Sequence, residues 1–223
     1  LNKKIALITS IILVVLILDQ ALKIWVKTNM TYGSDFPILG LDWAYIHFVE
    51  NPGMAFGLSL GGDYGKLALS LFRIGAVGFL FYFISKLIKE GASIGILVSF
   101  ALIVAGALGN IIDSAFYGLI FSESTYHGDP AVLFPEGGGY AGFLFGRVVD
   151  MFYFPIIDTV LPEWVPFWGG QPFLFFKPVF NVADSAICIG VVIFLFYQHT
   201  FFKKQENSKV QGSELIEKQE GSN

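Results

Sequence analysis

The chain has 223 residues, of which 54% are hydrophobic, 17% aromatic and only 14% charged, with a formal net charge of −4. Soluble domains carry about a quarter charged residues, so this composition, with a mean hydropathy of +0.64, indicates an integral membrane protein. No basic patch suggests nucleic acid, a single cysteine excludes a disulfide framework or cysteine-based metal site, and three scattered histidines without an HExxH pattern argue against zinc.

Four stretches can cross about 30 Å of hydrocarbon, which takes roughly 20 helical residues. They are 5–26, 66–89, 92–113 and 178–202. The first begins like a secretory signal core, but its apolar run is long and no A-x-A site follows, so a retained helix is expected. Lys3 and Lys4, Lys86 and Lys89, and Lys203 and Lys204 flank the spans on one side. The positive-inside rule makes that side cytoplasmic and places both termini there. Segments 27–65 and 114–177 then face outward.

In the first outer segment, residues 41–49 are aromatic and β-branched, a turn is expected at Asn51-Pro52-Gly53, and 54–58 is a candidate second strand. The second outer segment holds a glycine-rich stretch and then an apolar run, 152–180, broken by prolines too often for a spanning helix. Trp164 and Trp168 suit the headgroup layer, so this run is expected to lie on or dip into the outer leaflet. The expected fold is an all-α membrane protein: four transmembrane helices, a small outer β-rich segment and a long interfacial outer insertion. Residues 1–203 form the membrane domain, and 204–223 a polar, disordered cytoplasmic tail.

The polar residues of the spans cluster toward the outer rim. Acids in or near hydrocarbon are costly and point to function. Asp19 and Lys23 lie at i and i+4 in the outer third of the first span, placed to pair. Asn110 and Asp113 end the third span with N-x-x-D spacing, which recurs at Asn181 and Asp184 in the fourth, six residues beyond Pro178 and just under the rim. Asp150 follows two valines in the outer insertion. Two such acids brought together could share a proton and activate a water, as in an aspartic protease. Arg73 is read as snorkelling outward, and Cys188 as a small buried hydrophobe. Gly91-Ala92-Ser93-Ile94-Gly95 fits a nucleophile-elbow pattern but opens a membrane helix, where small residues serve packing.

These blocks, in order, resemble the lipoprotein signal peptidases (signal peptidase II). Asp19-Gln20 with Lys23 resembles the family's D-Q-x-x-K; Asn51-Pro52-Gly53-Met54-Ala55-Phe56-Gly57 its N-x-G-x-A-F-G loop; and Gly106-Ala107-Leu108-Gly109-Asn110-Ile111-Ile112-Asp113 its G-A-x-G-N-x-x-D block. Val148-Val149-Asp150 and Phe180-Asn181-Val182-Ala183-Asp184-Ser185 resemble the blocks carrying its catalytic aspartates. The resemblance implies a membrane aspartic endopeptidase of the bacterial inner membrane, monomeric and without metal or cofactor. It would remove signal peptides from diacylglyceryl-modified prolipoproteins, cutting before the lipidated cysteine near the outer face. Asp150 and Asp184 would form the dyad. Asn110, Asp113 and Asn181 would orient dyad or substrate, Asn51 and Gly53 would sit on the covering loop, and Asp19 and Lys23 would support the site. The family usually places Arg directly after the G-N-x-x-D aspartate, where this chain has Ser114, and joins that block to V-V-D by a shorter link. Arg147 is a candidate replacement cation. The competing readings are a proton-coupled transporter, disfavoured by the absence of an evident repeat, and a non-catalytic membrane scaffold.

Overall fold

The computed structural model describes residues 2–52 and 62–198. Gly53, the candidate strand 54–58 and the tail 204–223 lie outside them. Helix α1 runs Asn2–Asn29 and helix α2 Gly62–Lys89. Helix α3 runs Ile94–Ile112 and continues through a π-helical turn, Asp113–Tyr117, into the short α4, Gly118–Ile120. The last apolar helix, α5, is Val182–Gln198. Three helical stretches, Lys3–Asn29, Tyr64–Lys89 and Ile94–Ile120, are long and apolar enough to cross a membrane. Leu13 and Ile17 on α1 and Phe72 and Phe79 on α2 stand exposed, as lipid-facing positions do.

Helix α3 is the axis of the bundle. Ile96, Leu97, Ala101 and Val104 are almost fully buried against Ile8 of α1 and Ile84 and Leu87 of α2. It starts at Ser93, whose hydroxyl caps the helix by accepting from the Ile96 N–H at 3.5 Å, so the elbow-like serine is a helix cap. Two glycines let α5 approach. A methyl at Gly106 would strike the carbonyl of Ala183, and one at Gly109 would lie 2.6 Å from Asp19 Oδ2. Without hydrophobic drive between helices in lipid, such small-residue contacts are what hold them together. At the other end, Lys4 Nζ donates to the Ala92 carbonyl at 2.8 Å, placing the start of α1 beside the α2–α3 turn.

The outer segments build a four-stranded antiparallel sheet in the order β1–β2–β3–β6, from β1 (Asp35–Pro37), β2 (Tyr45–Asn51), β3 (Val148–Tyr153) and β6 (Val179–Phe180). Val49 of β2 faces Asp150 of β3, and Phe152 faces Phe180. Phe48, Val149 and Met151, all fully buried, lock the sheet onto Val26, Tyr117 and Phe121 at the ends of α1, the π-turn and α4. Between β3 and β6 a separate hairpin, β4 (Ile157–Val160) and β5 (Pro172–Phe175), exposes Trp164, Phe167 and Trp168 at its connecting loop.

Two expectations need correction. The fourth apolar helix begins at Val182, since Val179–Phe180 is spent on pairing with β3. Asp184 is therefore in its first turn, not six residues down. Cys188 is exposed on the outside of α5, not buried.

Candidate active site

The first turn of α5 holds Asp184 by its own backbone. The Asp184 N–H donates to Asn181 Oδ1 at 2.9 Å, and Asp184 Oδ2 accepts from the Asn181 N–H at 3.3 Å, a reciprocal capping box. The next free donor of that turn, Ala183 N–H, goes to Asp19 Oδ1 at 2.8 Å. The N-x-x-D spacing in α5 is thus the grammar of a helix start, and it places a carboxylate at the positive end of a helix.

Asp150 arrives from the other side, on β3, 5% exposed. Asn181 Nδ2 donates to Asp150 Oδ1 at 2.7 Å and lies 3.2 Å from Asn110 Oδ1. Asn110 Nδ2 in turn donates to Asp184 Oδ1 at 2.9 Å. A chain of two amides thus joins the two acids. Asp150 is buried and Asp184 half-buried, so the pair is asymmetric. Burial, then the neighbouring charge of Asp184, pushes the Asp150 carboxyl up to about 7, against the opposing pull of the Asn181 hydrogen bond and Lys23.

Below this chain lies a buried ion cluster. Lys23 Nζ is 2.9 Å from both Asp19 Oδ2 and Asp113 Oδ2, and donates to Asn110 Oδ1 at 3.0 Å; all three charged side chains are fully buried. Asp113 also accepts from Gln20 Nε2 at 2.9 Å and from the Val149 N–H at 3.1 Å. It therefore ties α1, α3 and β3 together one residue from Asp150. Gln20, overlooked by sequence reasoning though it stands inside the D-Q-x-x-K block, also accepts from the Tyr117 hydroxyl at 3.1 Å. Asn51 closes β2 opposite Val148, two positions before Asp150 on the same strand.

Arg147 does not join the acids. It pairs with Glu50 at 3.4 Å and Glu123 at 2.9 Å, over the Tyr140 ring. Glu50 is also paired with the fully buried Lys27, which donates to Ser124 Oγ at 2.8 Å. This second polar cluster pins the end of α1, β2 and the insertion to one another. At Ser114, where the family resemblance leads one to expect arginine, the insertion folds against the backbone: the Gly146 N–H donates to the Ser114 carbonyl at 2.8 Å, and Ser114 is 3% exposed, its hydroxyl donating to the Asn110 carbonyl at 3.0 Å. Replacing Arg147 with alanine is expected to lower stability by about 1–2 kcal/mol, the order of a charge-assisted hydrogen bond, with kcat nearly unchanged; thermal melting beside a cleavage assay checks both.

Arg73 lies on one face of α2 with Ser70 and Val77, at spacings of three and four. Both neighbours are buried, so Arg73 faces the protein.

The chain matches known proteins over most of its length. Residues 11–201 fit the family model described as signal peptidase (SPase) II. A lipoprotein signal peptidase of Porphyromonas gingivalis is 54% identical over 189 residues, covering 84% of this chain and 80% of that protein. One of Amoebophilus asiaticus is 35% identical over 224 residues, covering 97% and 89%. A solved bacterial membrane enzyme superposes with a TM-score of 0.55 over 91% of this chain and 92% of that one, at 23% identity, which bears on the fold alone. With the family model spanning nearly the whole chain and a relative more than half identical to it, this chain belongs to the signal peptidase II family of membrane peptidases.

Proposed function

We propose that this protein is an aspartic endopeptidase of the bacterial cytoplasmic membrane that cleaves diacylglyceryl-modified prolipoproteins before the lipidated cysteine, with Asp150 and Asp184 as its dyad. The observation that carries the reading is the Asp150–Asn181–Asn110–Asp184 hydrogen-bond chain, which couples an acid on a strand to an acid on a helix N-terminus. Two neighbouring carboxylates in a low-dielectric site share one proton. In this reading the shared proton rests on the buried Asp150, and Asp184, at the N-terminus of α5, serves as the base. Asp184 takes a proton from water as the water oxygen attacks the scissile carbonyl carbon. Asp150 donates its proton to the carbonyl oxygen; the tetrahedral adduct then collapses as Asp184 passes its proton to the leaving amine, Asp150 takes back the hydroxyl proton and the C–N bond breaks.

In this reading α5 is the fourth span, both termini are cytoplasmic, and the dyad sits at the outer rim. A substrate whose acyl chains remain in the bilayer then presents its peptide at the depth of the dyad. The β4–β5 hairpin, with its exposed tryptophans, rests against the outer leaflet.

The test is cleavage of a diacylglyceryl-modified prolipoprotein peptide in detergent, beside the same peptide with an unmodified cysteine. Cleavage of the first alone is expected, with a bell-shaped pH profile whose alkaline limb falls near the Asp150 value of about 7. Equal kcat/KM on both peptides would defeat the lipid requirement, and a flat profile the shared proton.

A further inference from the structure

Arg73 is an inward-facing cation that the mechanism above leaves unused. Its helix is fastened to the segment leading into β3: Lys66 Nζ donates to the Phe145 carbonyl at 2.5 Å and Ser70 Oγ to the Leu144 carbonyl at 3.2 Å. Arg73 follows on the same face, before the buried Val77. Among the described residues it makes no ion pair within 4.0 Å and no hydrogen bond. The charges that act on it are, in order, Asp184, Asp150 and Asp113. A guanidinium held in a partly desolvated position with no partner, within the field of three carboxylates, is costly unless the charge has work to do there.

The charge inventory says what that work is. Four acids converge at this end of the bundle: Asp19 from α1, Asp113 after α3, Asp150 from β3 and Asp184 from α5. Lys23 is shared between Asp19 and Asp113, and Lys27 and Arg147 belong to Glu50 and Glu123. The dyad itself has amide partners, Asn110 and Asn181, and, among the described residues, no paired cation. We propose that Arg73 is the cation of the catalytic pair, a positioning residue on α2 that holds the dyad in its singly ionised form without an ion pair that would quench the base. This rests on the dyad assignment above. A cation at a distance favours the anion, yet leaves both carboxylates open to water and substrate.

The experiment is the pH dependence of kcat for lipopeptide cleavage by wild type, R73Q and R73K. Removing the positive charge makes the carboxylates harder to ionise. Both limbs of the R73Q bell should therefore move upward by about one unit, the size of a screened charge–charge interaction across several ångströms. Below the wild-type optimum R73Q should be up to about tenfold slower, and on the alkaline limb up to about tenfold faster than wild type. R73K should restore the wild-type profile. To separate charge from folding, R73C in a C188S background can be alkylated with an ammonium-bearing or a sulfonate-bearing reagent. The first should move the limbs down and the second up within one folded protein. A wild-type bell with a superimposable R73Q bell, or limbs indifferent to the reagent, would overturn the role of Arg73 and leave the dyad standing. A wild type without a bell would instead remove the shared-proton reading.

Discussion

Asp150→Asn and Asp184→Asn should each reduce kcat by about a thousandfold, within the range that a positioned acid or base supplies, but the two proteins should differ in stability. At position 150 the asparagine keeps a carbonyl oxygen for the Asn181 Nδ2 donor, 2.7 Å away in the wild type, and removes a buried ionisable group. At position 184 both carboxylate oxygens are engaged, one by Asn110 Nδ2 and the other by the Asn181 N–H, and an amide cannot accept at both. Loss of that arm of the capping box should cost about 1 kcal/mol. The pH dependence separates them further. The folded Asp150 carboxyl titrates near 7 against an unfolded value of 3.8, so folding takes up a proton between those limits. Its contribution is fully present below about pH 4 and is lost as pH rises through about 7. D150N should therefore match wild-type melting near pH 4 and exceed it increasingly up to pH 7, whereas D184N melts lower. Near-normal cleavage by either well-folded variant would unseat the dyad. A D150N melting curve parallel to wild type at every pH would contradict the buried protonated Asp150.

How much of this could be read from the chain depends on the range of the interaction. Three spanning helices were legible because a run of roughly 20 apolar residues has few alternatives. The start of α5 was not. Val179 and Phe180 are as apolar as the helix that follows, and only pairing with Tyr153 and Phe152 makes them strand. The same holds for 148–153, an apolar run interrupted only by Asp150 and without alternation: its identity as a central strand comes from β2 on one side and β6 on the other. Within the site, local spacing carried Asp19 with Lys23 and Asn181 with Asp184, since both pairs lie within one turn. It could not reveal that Asp113 also holds the Val149 amide, or that Lys27, Glu50, Ser124 and Arg147 meet from four separate segments. Arg147 was drawn toward the acids by an absence at Ser114. In the structure Arg147 instead pairs with Glu50 and Glu123, and the Gly146 N–H donates to the Ser114 carbonyl.

Lys23→Met should be the most destabilising single change in the protein. Lys23 is fully buried and serves three acceptors: Asp19, Asp113 and Asn110. Methionine fills similar volume, so the loss is electrostatic: two carboxylates remain in the core without a counter-ion, a situation that costs about 3–5 kcal/mol. The damage should spread along identifiable bonds. Asp19 holds the Ala183 N–H in the first turn of α5, Asp113 holds the Val149 N–H beside Asp150, and Asn110 holds Asp184. Thermal melting in detergent should fall by many degrees, and cleavage should drop at temperatures where the protein is still folded. Adding D113N should recover part of the stability by neutralising one stranded acid, so that the double variant melts above K23M although it carries one more substitution. That non-additivity is the signature of a buried ion cluster. If K23M melts within a degree or two of wild type, or if D113N makes it worse by its full independent cost, the three side chains are not acting as one charged unit. The support of the dyad must then lie in the packing of Gly106 and Gly109 against α5 and Asp19 rather than in the ions beneath it.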